Sequence, residues 1–409
     1  MYEWNNAYNY IINIKNEYMK KFHLDKLDTY SLKTMCEKLN TKEYNNFLNC
    51  IDTTSYNNLC LVKYSMIKGG DSDLYTNPNS IYREMRGLTI DLDNNEIVLC
   101  PFRKFFNINE LDETNISIVT DKIAKARTMD ITNKLDGSML SATWYNNTLV
   151  LGGTGSLDEK RNERLAECRE WFTNGYLQLV KDNYDYTFMF EHISHKDKHI
   201  VAYSEQEQGL YLVGARNKYN GVLKTYKELN VLATEYDIPI TDYETKSLNE
   251  LMNSVSDFEG TEKEGWVIHV DHDMYKLKCD DYVQIHYILY ALSGNNVVKA
   301  IVKGTFDDII SKVPEELRPR IYEYSDVVYE YMRKAEYAIE YYYNQYKDIS
   351  EQADFGKAIV SNVPKIFRAY MFNKRYGQEY NLIQNFHGHI LRFEELQNLL
   401  AKINKLDIF

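Results

Sequence analysis

Over the first 22 residues, Trp4, Tyr8, Ile11, Ile14 and Tyr18 recur at three- and four-residue steps. That spacing puts apolar side chains on one face of a helix. Between about residues 55 and 280 the period shortens. Short runs rich in β-branched and aromatic residues dominate there: Leu59–Ile67, Leu88–Asp91, Ile97–Pro101, Met139–Tyr145, Leu149–Gly152, Tyr186–Glu191, Gly209–Val213, Gly265–Val270 and Tyr275–Lys278. Turn-forming Asp93-Asn94-Asn95, Asn146-Asn147 and Asp271-His272-Asp273 separate neighbouring runs. Helical stretches around 157–182 and 224–236 interrupt them. The pattern predicts an α+β domain built on antiparallel sheets with flanking helices.

After Ser293-Gly294-Asn295-Asn296 the strand pattern stops. A helix is expected over Pro314–Ile349, with Tyr322, Val327, Val328, Tyr331, Ala335 and Ile339 along one side, and further helices over 350–372 and 391–406. The stripe reads as the core of a helical bundle. The chain therefore divides into residues 1–290 and an all-α domain, residues 291–409.

Composition changes this picture only at the margins. Hydrophobic residues make up 44% and charged residues 26%, an ordinary balance for a globular protein. No run approaches the roughly 18 consecutive apolar residues that a membrane span needs, and the N-terminal residues lack a signal core. A cytoplasmic location is expected, that of a host cell if the AT-rich composition (36 Tyr, 6 Pro) reflects a viral genome such as a bacteriophage's. Cysteines at 36, 50, 60, 100, 168 and 279 form no Cys-x-x-Cys pair and read as reduced, buried thiols. Charge matters more. The net charge is −12, and residues 291–409 carry 16 basic and 16 acidic side chains, leaving 32 basic against 44 acidic in residues 1–290. Any polyanion must be held by local basic clusters, not by the overall field.

Candidate chemistry centres on Lys134-Leu135-Asp136-Gly137-Ser138. It follows the extended piece Asp130–Asn133 and precedes a strand, which places Lys134 at a turn on a sheet edge, with Gly137 allowing close backbone approach to a ligand. Upstream lie Arg83-Glu84-Met85-Arg86-Gly87-Leu88 and Arg103-Lys104-Phe105-Phe106-Asn107. Downstream come Phe188-Met189-Phe190-Glu191-His192, Glu264-Gly265-Trp266-Val267 and Tyr275-Lys276-Leu277-Lys278. Strand alternation puts Lys276 and Lys278 on one face, where two ammonium groups suit a triphosphate. Their field is expected to lower the pKa of a neighbouring lysine and make it nucleophilic. Glu191 and Glu264 could position a divalent cation through water. His192, His195 and His199 read as incidental, because their spacing fixes no metal geometry.

These ordered motifs resemble those of the covalent nucleotidyltransferases, the superfamily of DNA ligases, RNA ligases and mRNA capping enzymes. The Arg-Gly and Lys-Phe-Phe-Asn motifs, Glu-Gly-Trp-Val, and the Lys-Leu-Lys-x-Asp-x-Tyr-Val run from Lys276 to Val283 are similar to the bacteriophage T4 RNA ligase 1 family, over roughly residues 55–310. The resemblance implies a nucleotidyltransferase (adenylyltransferase) domain acting as an ATP-dependent RNA ligase. Lys134 would take AMP from ATP, pass it to an RNA 5′-phosphate, and allow a 3′-hydroxyl to displace it. Catalytic roles fall to Lys134, Asp136, Glu191, Glu264, Lys276 and Lys278. ATP binding falls to Tyr64, Arg86, Lys104, Lys134, Gly137, Glu191, Val267, Lys276 and Lys278, with Arg86 and Lys104 on the β- and γ-phosphates and Val267 against adenine. Metal binding falls to Glu191, Glu264 and Asp307, with Mg2+ or Mn2+. Tyr203 and Arg216 would brace the pocket.

Implied partners are single-stranded or nicked-loop RNA such as tRNA, and an end-healing kinase or phosphatase, with no membrane. One departure stands out. Where the family often carries a basic residue, Gly152-Gly153-Thr154-Gly155-Ser156 has Thr154, so a hydroxyl would have to substitute. Two rival readings remain: a non-catalytic RNA-end-binding protein, and a DNA ligase or capping-type enzyme. The second sits poorly with a chain that turns helical after its last lysine motif.

Overall fold

The computed structural model describes residues 4–65, 76–196, 199–291, 293–310, 313, 318–384 and 388–408. The chain separates into two compact units, Met1–Val283 and Gln284–Phe409.

The first unit begins with helices α1 (Asn6–Phe22), α2 (Leu32–Leu39) and α3 (Lys42–Leu48). Ser31 and Thr41 cap α2 and α3 by accepting from the backbone N–H of Thr34 and Tyr44, the preferred use of a hydroxyl at that position. Ile11, Ile14 and Tyr18 of α1 are fully buried, as their spacing implies, and pack with Met35 and Phe47 on Val62 and Ile90 of the first sheet. That sheet has the order β1-β2-β3-β4, formed by β1 (Ile51–Tyr56), β2 (Leu59–Tyr64), β3 (Arg86–Asp91) and β4 (Glu96–Leu99).

A second sheet runs β10-β9-β7-β8, from β7 (Ser138–Tyr145), β8 (Thr148–Gly152), β9 (Tyr186–Ile193) and β10 (Gly209–Asn217). A third runs β5-β12-β11-β6, from β5 (Phe106–Asn107), β6 (Met129–Lys134), β11 (Gly265–Val270) and β12 (Asp273–Lys278). All pairings are antiparallel except β5 with β12. The hairpin residues Asn146 and Asn147 both take left-handed backbone (φ 47° and 58°), and Asp271 does so between β11 and β12 (φ 51°). Asn and Asp tolerate that region better than other side chains. Leu140, Phe188, Phe190 and Leu212 of the second sheet pack against helices α5 (Glu163–Trp171), α6 (Asn174–Asp182) and α7 (Tyr226–Glu235). Helix α4 (Ile116–Lys125) precedes β6 and α8 (Leu248–Ser254) precedes β11.

Several boundaries differ from the sequence reading. Strand β1 carries the polar run Asp52-Thr53-Thr54-Ser55, which has no apolar alternation to announce it. Strand β2 ends at Tyr64, and the expected extension over residues 66–67 lies outside the described residues. The helix expected over 157–182 is two helices, broken at Phe172-Thr173.

In the second unit, α9 (Asp280–Ala291) enters from the first, followed by α10 (Gly294–Val302), α11 (Phe306–Ile310), α12 (Arg318–Tyr346), α13 (Gln352–Asn362), α14 (Arg368–Arg375) and α15 (Phe393–Ile403). Val328, Tyr331, Ala335 and Ile339 of α12 are core residues, packed with Phe355, Ile359, Leu396 and Ile403. Tyr322, expected on the same stripe, is 41% exposed. The start expected at Pro314 lies outside the described residues. The helix expected over 350–372 breaks around Pro364, which has no N–H to continue a helical ladder.

Candidate active site

Strand register builds the site. Across the third sheet, Gly265 of β11 lies opposite Lys134 of β6 on one side and Lys278 of β12 on the other. Two residues along, Val267 lies opposite Thr132 and Lys276. Residues directly opposite share a face, so Lys134, Lys276, Lys278 and Val267 all emerge on one side of the sheet. Gly265 cannot be replaced cheaply. Its φ is +144°, and a Cβ there would sit 2.1 Å from the Leu277 carbonyl oxygen.

Glu264, just before that glycine, is buried and bridges the outer lysines. Lys134 Nζ donates to its Oε2 at 2.7 Å, and Lys278 Nζ lies 2.8 Å from Oε1. Lys276 has no such partner among the described residues. Its ammonium lies 4.7 Å from the centroid of the Phe105 ring.

The electrostatic consequence reverses one expectation. Burial by itself would lower the Lys134 pKa, but Glu264 and Glu191 outweigh it and leave the amine above its ordinary value. The cations thought to strip its proton are offset by carboxylates that sequence spacing could not place. The depressed amine is Lys276. Burial, followed by Arg86, Lys134 and Lys278, lowers it to about 7. Glu264 moves the other way: burial opposes ionisation, but Lys134 and Lys278 hold it below the usual carboxylate range. Glu191, in β9, is pushed up to about 7, chiefly by burial.

A cavity of about 580 Å³ lies over this face, lined from all three sheets. Lys134, Gly137, Glu191, Val267, Lys276 and Arg86 line it. Gly137 donates its N–H to Glu191 Oε1 at 3.1 Å, and a Cβ there would meet the His192 carbonyl oxygen at 2.7 Å. The second position of Lys-x-Asp-Gly does something different. Asp136 Oδ2 accepts from the N–H groups of Ile200 and Val201 (2.7 and 3.0 Å), Oδ1 accepts from Tyr282 Oη at 2.9 Å, and the Asp136 N–H donates to Tyr203 Oη at 2.8 Å. Both carboxylate oxygens are engaged in fixing the turn.

Tyr64 and Lys104 come together, with Lys104 Nζ 3.4 Å from Tyr64 Oη and 4.6 Å from its ring centroid. Neither lines the 580 Å³ cavity. Lys104 instead lines a neighbouring cavity of about 720 Å³, together with Arg83, Arg103 and Arg216. Arg216 is held rigidly there by two hydrogen bonds to buried Glu84, at 2.6 and 3.2 Å. Asp307 lies exposed on α11 in the second unit. Among the described residues no cluster of three or more His, Cys, Asp or Glu side chains could hold a metal ion. The His195 ring nitrogen meets the Tyr203 carbonyl oxygen at 3.0 Å, and His192 is buried. All six cysteines are buried and unbridged, and no described helix is long and apolar enough to cross a membrane.

Three residues went unassigned in the sequence. Tyr282 was visible inside the Lys276–Val283 run, but its target, Asp136, lies 146 residues away. Lys63 and Arg164 also line the 580 Å³ cavity, and nothing local in sequence marks either.

The three sheets, with helices around them, carry Lys134 at a strand end to the edge of this cavity, and a helical unit follows in the chain. Residues 84–282, just under half of the chain, match the T4 RNA ligase 1 family model, described as RNA ligase. Among solved structures, the chain is similar to an archaeal ATP-dependent RNA ligase (11% identity, TM-score 0.40, covering 72% of this chain and 87% of that one). It is also similar to the Naegleria gruberi RNA ligase, as a mutant in apo form (13% identity, TM-score 0.37, 45% of this chain and 57% of that one) and as another with ATP and Mn (14%, 0.36, 45% and 57%). The chain spans little more than half the length of the Naegleria enzyme. No curated protein matches it.

Proposed function

We propose that this protein is an ATP-dependent RNA ligase that joins an RNA 3′-hydroxyl to a 5′-phosphate through a lysyl-AMP on Lys134 and an RNA-adenylate. One observation carries the reading. Lys134 stands at the edge of a nucleotide-sized cavity with Lys276 beside it uncompensated by any carboxylate partner among the described residues. Free Lys276 is poised between charge states, and an arriving phosphate would favour its cation.

Neutral Lys134 Nζ attacks the α-phosphorus of ATP, the N–P bond forms, and the bond to pyrophosphate breaks. The proton has an outlet along the 2.7 Å hydrogen bond to Glu264. Lys276 and Arg86 stabilise charge on the phosphates, Val267 packs on the base, and Glu191 contacts the ribose or a metal-bound water. Lys278 acts mainly by sharing Glu264 with Lys134. Two further displacements at phosphorus, by the RNA 5′-phosphate and then by the 3′-hydroxyl, use the same charges.

Lone carboxylates suit a divalent cation that keeps most of its water and arrives with the triphosphate, as Mg2+ does; Mn2+ would fit the same donors. When bound, it adds positive charge near Lys134 and favours the neutral amine. Residues 284–409 are assigned the choice of RNA, with structured RNA such as tRNA as substrate, end-healing enzymes upstream and the cytoplasm as location. A truncation after residue 291 is expected to keep adenylylation and lose preference for tRNA. The decisive assay supplies ATP, magnesium and 5′-phosphorylated single-stranded RNA. Sealing supports the proposal. RNA binding with neither adenylate nor sealing would favour a non-catalytic end-binding protein, and transfer from GTP or preference for DNA ends would favour the other nucleotidyltransferases.

A further inference from the structure

Lys63 of β2 and Arg86 of β3 are paired directly across two antiparallel strands, and both line the 580 Å³ cavity. Like charges in that relation repel, and although Asp52 of β1 lies opposite Lys63 on its other side, the lysine ammonium lies over Gly155. Elsewhere in this unit such cations are compensated: Arg83 meets Glu113 at 2.6 Å and Arg216 meets Glu84 at 2.6 Å. Here Glu191 is the only carboxylate lining the cavity among the described residues, and setting aside Lys134, which is paired with Glu264, the lining still holds Lys63, Arg86 and Lys276. In a chain of net charge −12, that local excess has the form of an anion site.

The loop after β8 is shaped around the same pair. A Cβ on Gly155 would lie 3.0, 3.2 and 3.3 Å from Nζ, Cδ and Cε of Lys63, so the lysine runs stretched across this glycine. On the other side, Gly87, next to Arg86, has φ +94°, and a Cβ there would lie 3.1 Å from the Gly153 carbonyl oxygen. Thr54 Oγ1 donates to the Gly155 carbonyl at 3.3 Å, and Gly153 N–H to that of Ser156 at 3.0 Å. Between these contacts Thr154 is exposed and offers no charge. The cation at this edge comes from the first sheet.

We infer that Lys63 and Arg86 form a cross-strand clamp for a phosphate group of a reactant in the cavity, with Lys63 reaching it over Gly155. The inference deepens the proposed ligase reading and rests on it. The phosphate belongs either to the nucleotide or to an RNA 5′ end.

Binding of two probes to the full chain tests the clamp without requiring turnover: inorganic pyrophosphate, and a 5′-phosphorylated oligoribonucleotide compared with its 5′-hydroxyl form. Lys63→Ala should weaken one probe about ten-fold or more, the scale of a lost charged hydrogen bond. Lys63→Arg should retain affinity within about three-fold, and moving the charge in the double variant Lys63→Thr/Thr154→Lys should restore much of it. Loss confined to pyrophosphate assigns the clamp to the nucleotide; loss confined to the 5′-phosphate assigns it to the RNA end. Unchanged affinity of Lys63→Ala for both probes overturns the inference. So does equal loss in the Ala, Arg and relocated-charge variants, which would show a structural role. If the wild type binds pyrophosphate through Lys63 yet never forms an adenylate, the ligase reading fails and the clamp stands.

Discussion

Two groups of cations share this site and are built on opposite principles. At the strand ends, Lys134 and Lys278 are tied to a single buried carboxylate, Glu264, and carry little uncompensated charge. Deeper along the same face, Lys276, with Arg86 and Lys63 from the first sheet, faces the cavity without such an ion pair among the described residues. The first group fixes the position of Lys134, the proposed nucleophile, at the expense of its reactivity, since the carboxylates raise its pKa. The second group is held in a state that a phosphate would relieve. Position and attraction are thus separated between neighbouring residues of one strand, Lys278 and Lys276.

The largest effect should come from the nucleophile. Lys134→Arg keeps a cation beside Glu264 yet should lower adenylate formation by about a thousand-fold or more. A variant that still forms a stable adenylate would move the chemistry elsewhere. Next, Lys276→Ala should reduce adenylylation by roughly a hundred-fold and affect sealing of pre-adenylylated RNA much less. Lys278→Ala should instead show itself in thermal stability, because it leaves Glu264 half-paired. If the two variants behave alike in both assays, the distinction between the groups is wrong.

Glu264→Gln attacks the compensated group directly. With two part-buried ammonium groups deprived of their shared carboxylate, unfolding free energy should fall, by no more than about 3 kcal/mol. The acid limb of the adenylylation pH profile should also move to lower pH, because the carboxylate that raised Lys134 is gone. An unshifted limb would mean Lys134 does not set it.

A smaller effect is expected from pH alone. Lys276, lowered to about 7, is cationic below that pH and neutral above it in the free enzyme. ATP affinity should therefore fall as pH rises from 6 to 8.5, by an amount on the order of ten-fold. The neutral Lys134 needed for attack is favoured in the opposite direction. Lys276→Arg, cationic throughout, should flatten the affinity profile, and a profile unchanged by that substitution would remove Lys276 from phosphate binding.

Sequence order made part of this site legible and hid the rest for a physical reason. Alternation along β12 correctly put Lys276 and Lys278 on one face, and Gly137 and Gly265 stand where close approach demands glycine. What spacing could not supply was register between strands far apart in the chain. Lys134 and Glu264 are 130 residues apart and Asp136 and Tyr282 are 146 apart, so neither the sign of the Lys134 shift nor the hydrogen bonds that engage Asp136 could be read. Lys63 escaped notice for the same reason, since its glycine lies in another sheet's loop. Helix ends fared similarly: the helix expected over 350–372 passes over Pro364, where the chain in fact breaks, and the break at Phe172-Thr173 leaves Phe172 buried in the core of the second sheet.

The most direct test of the account is to incubate the protein with magnesium and ATP labelled at the α-phosphate, and to locate the label by peptide mass spectrometry. The account expects AMP on Lys134, from ATP and not GTP, discharged on adding 5′-phosphorylated RNA. Label on another residue, or no covalent label under conditions where ATP binds, would contradict it.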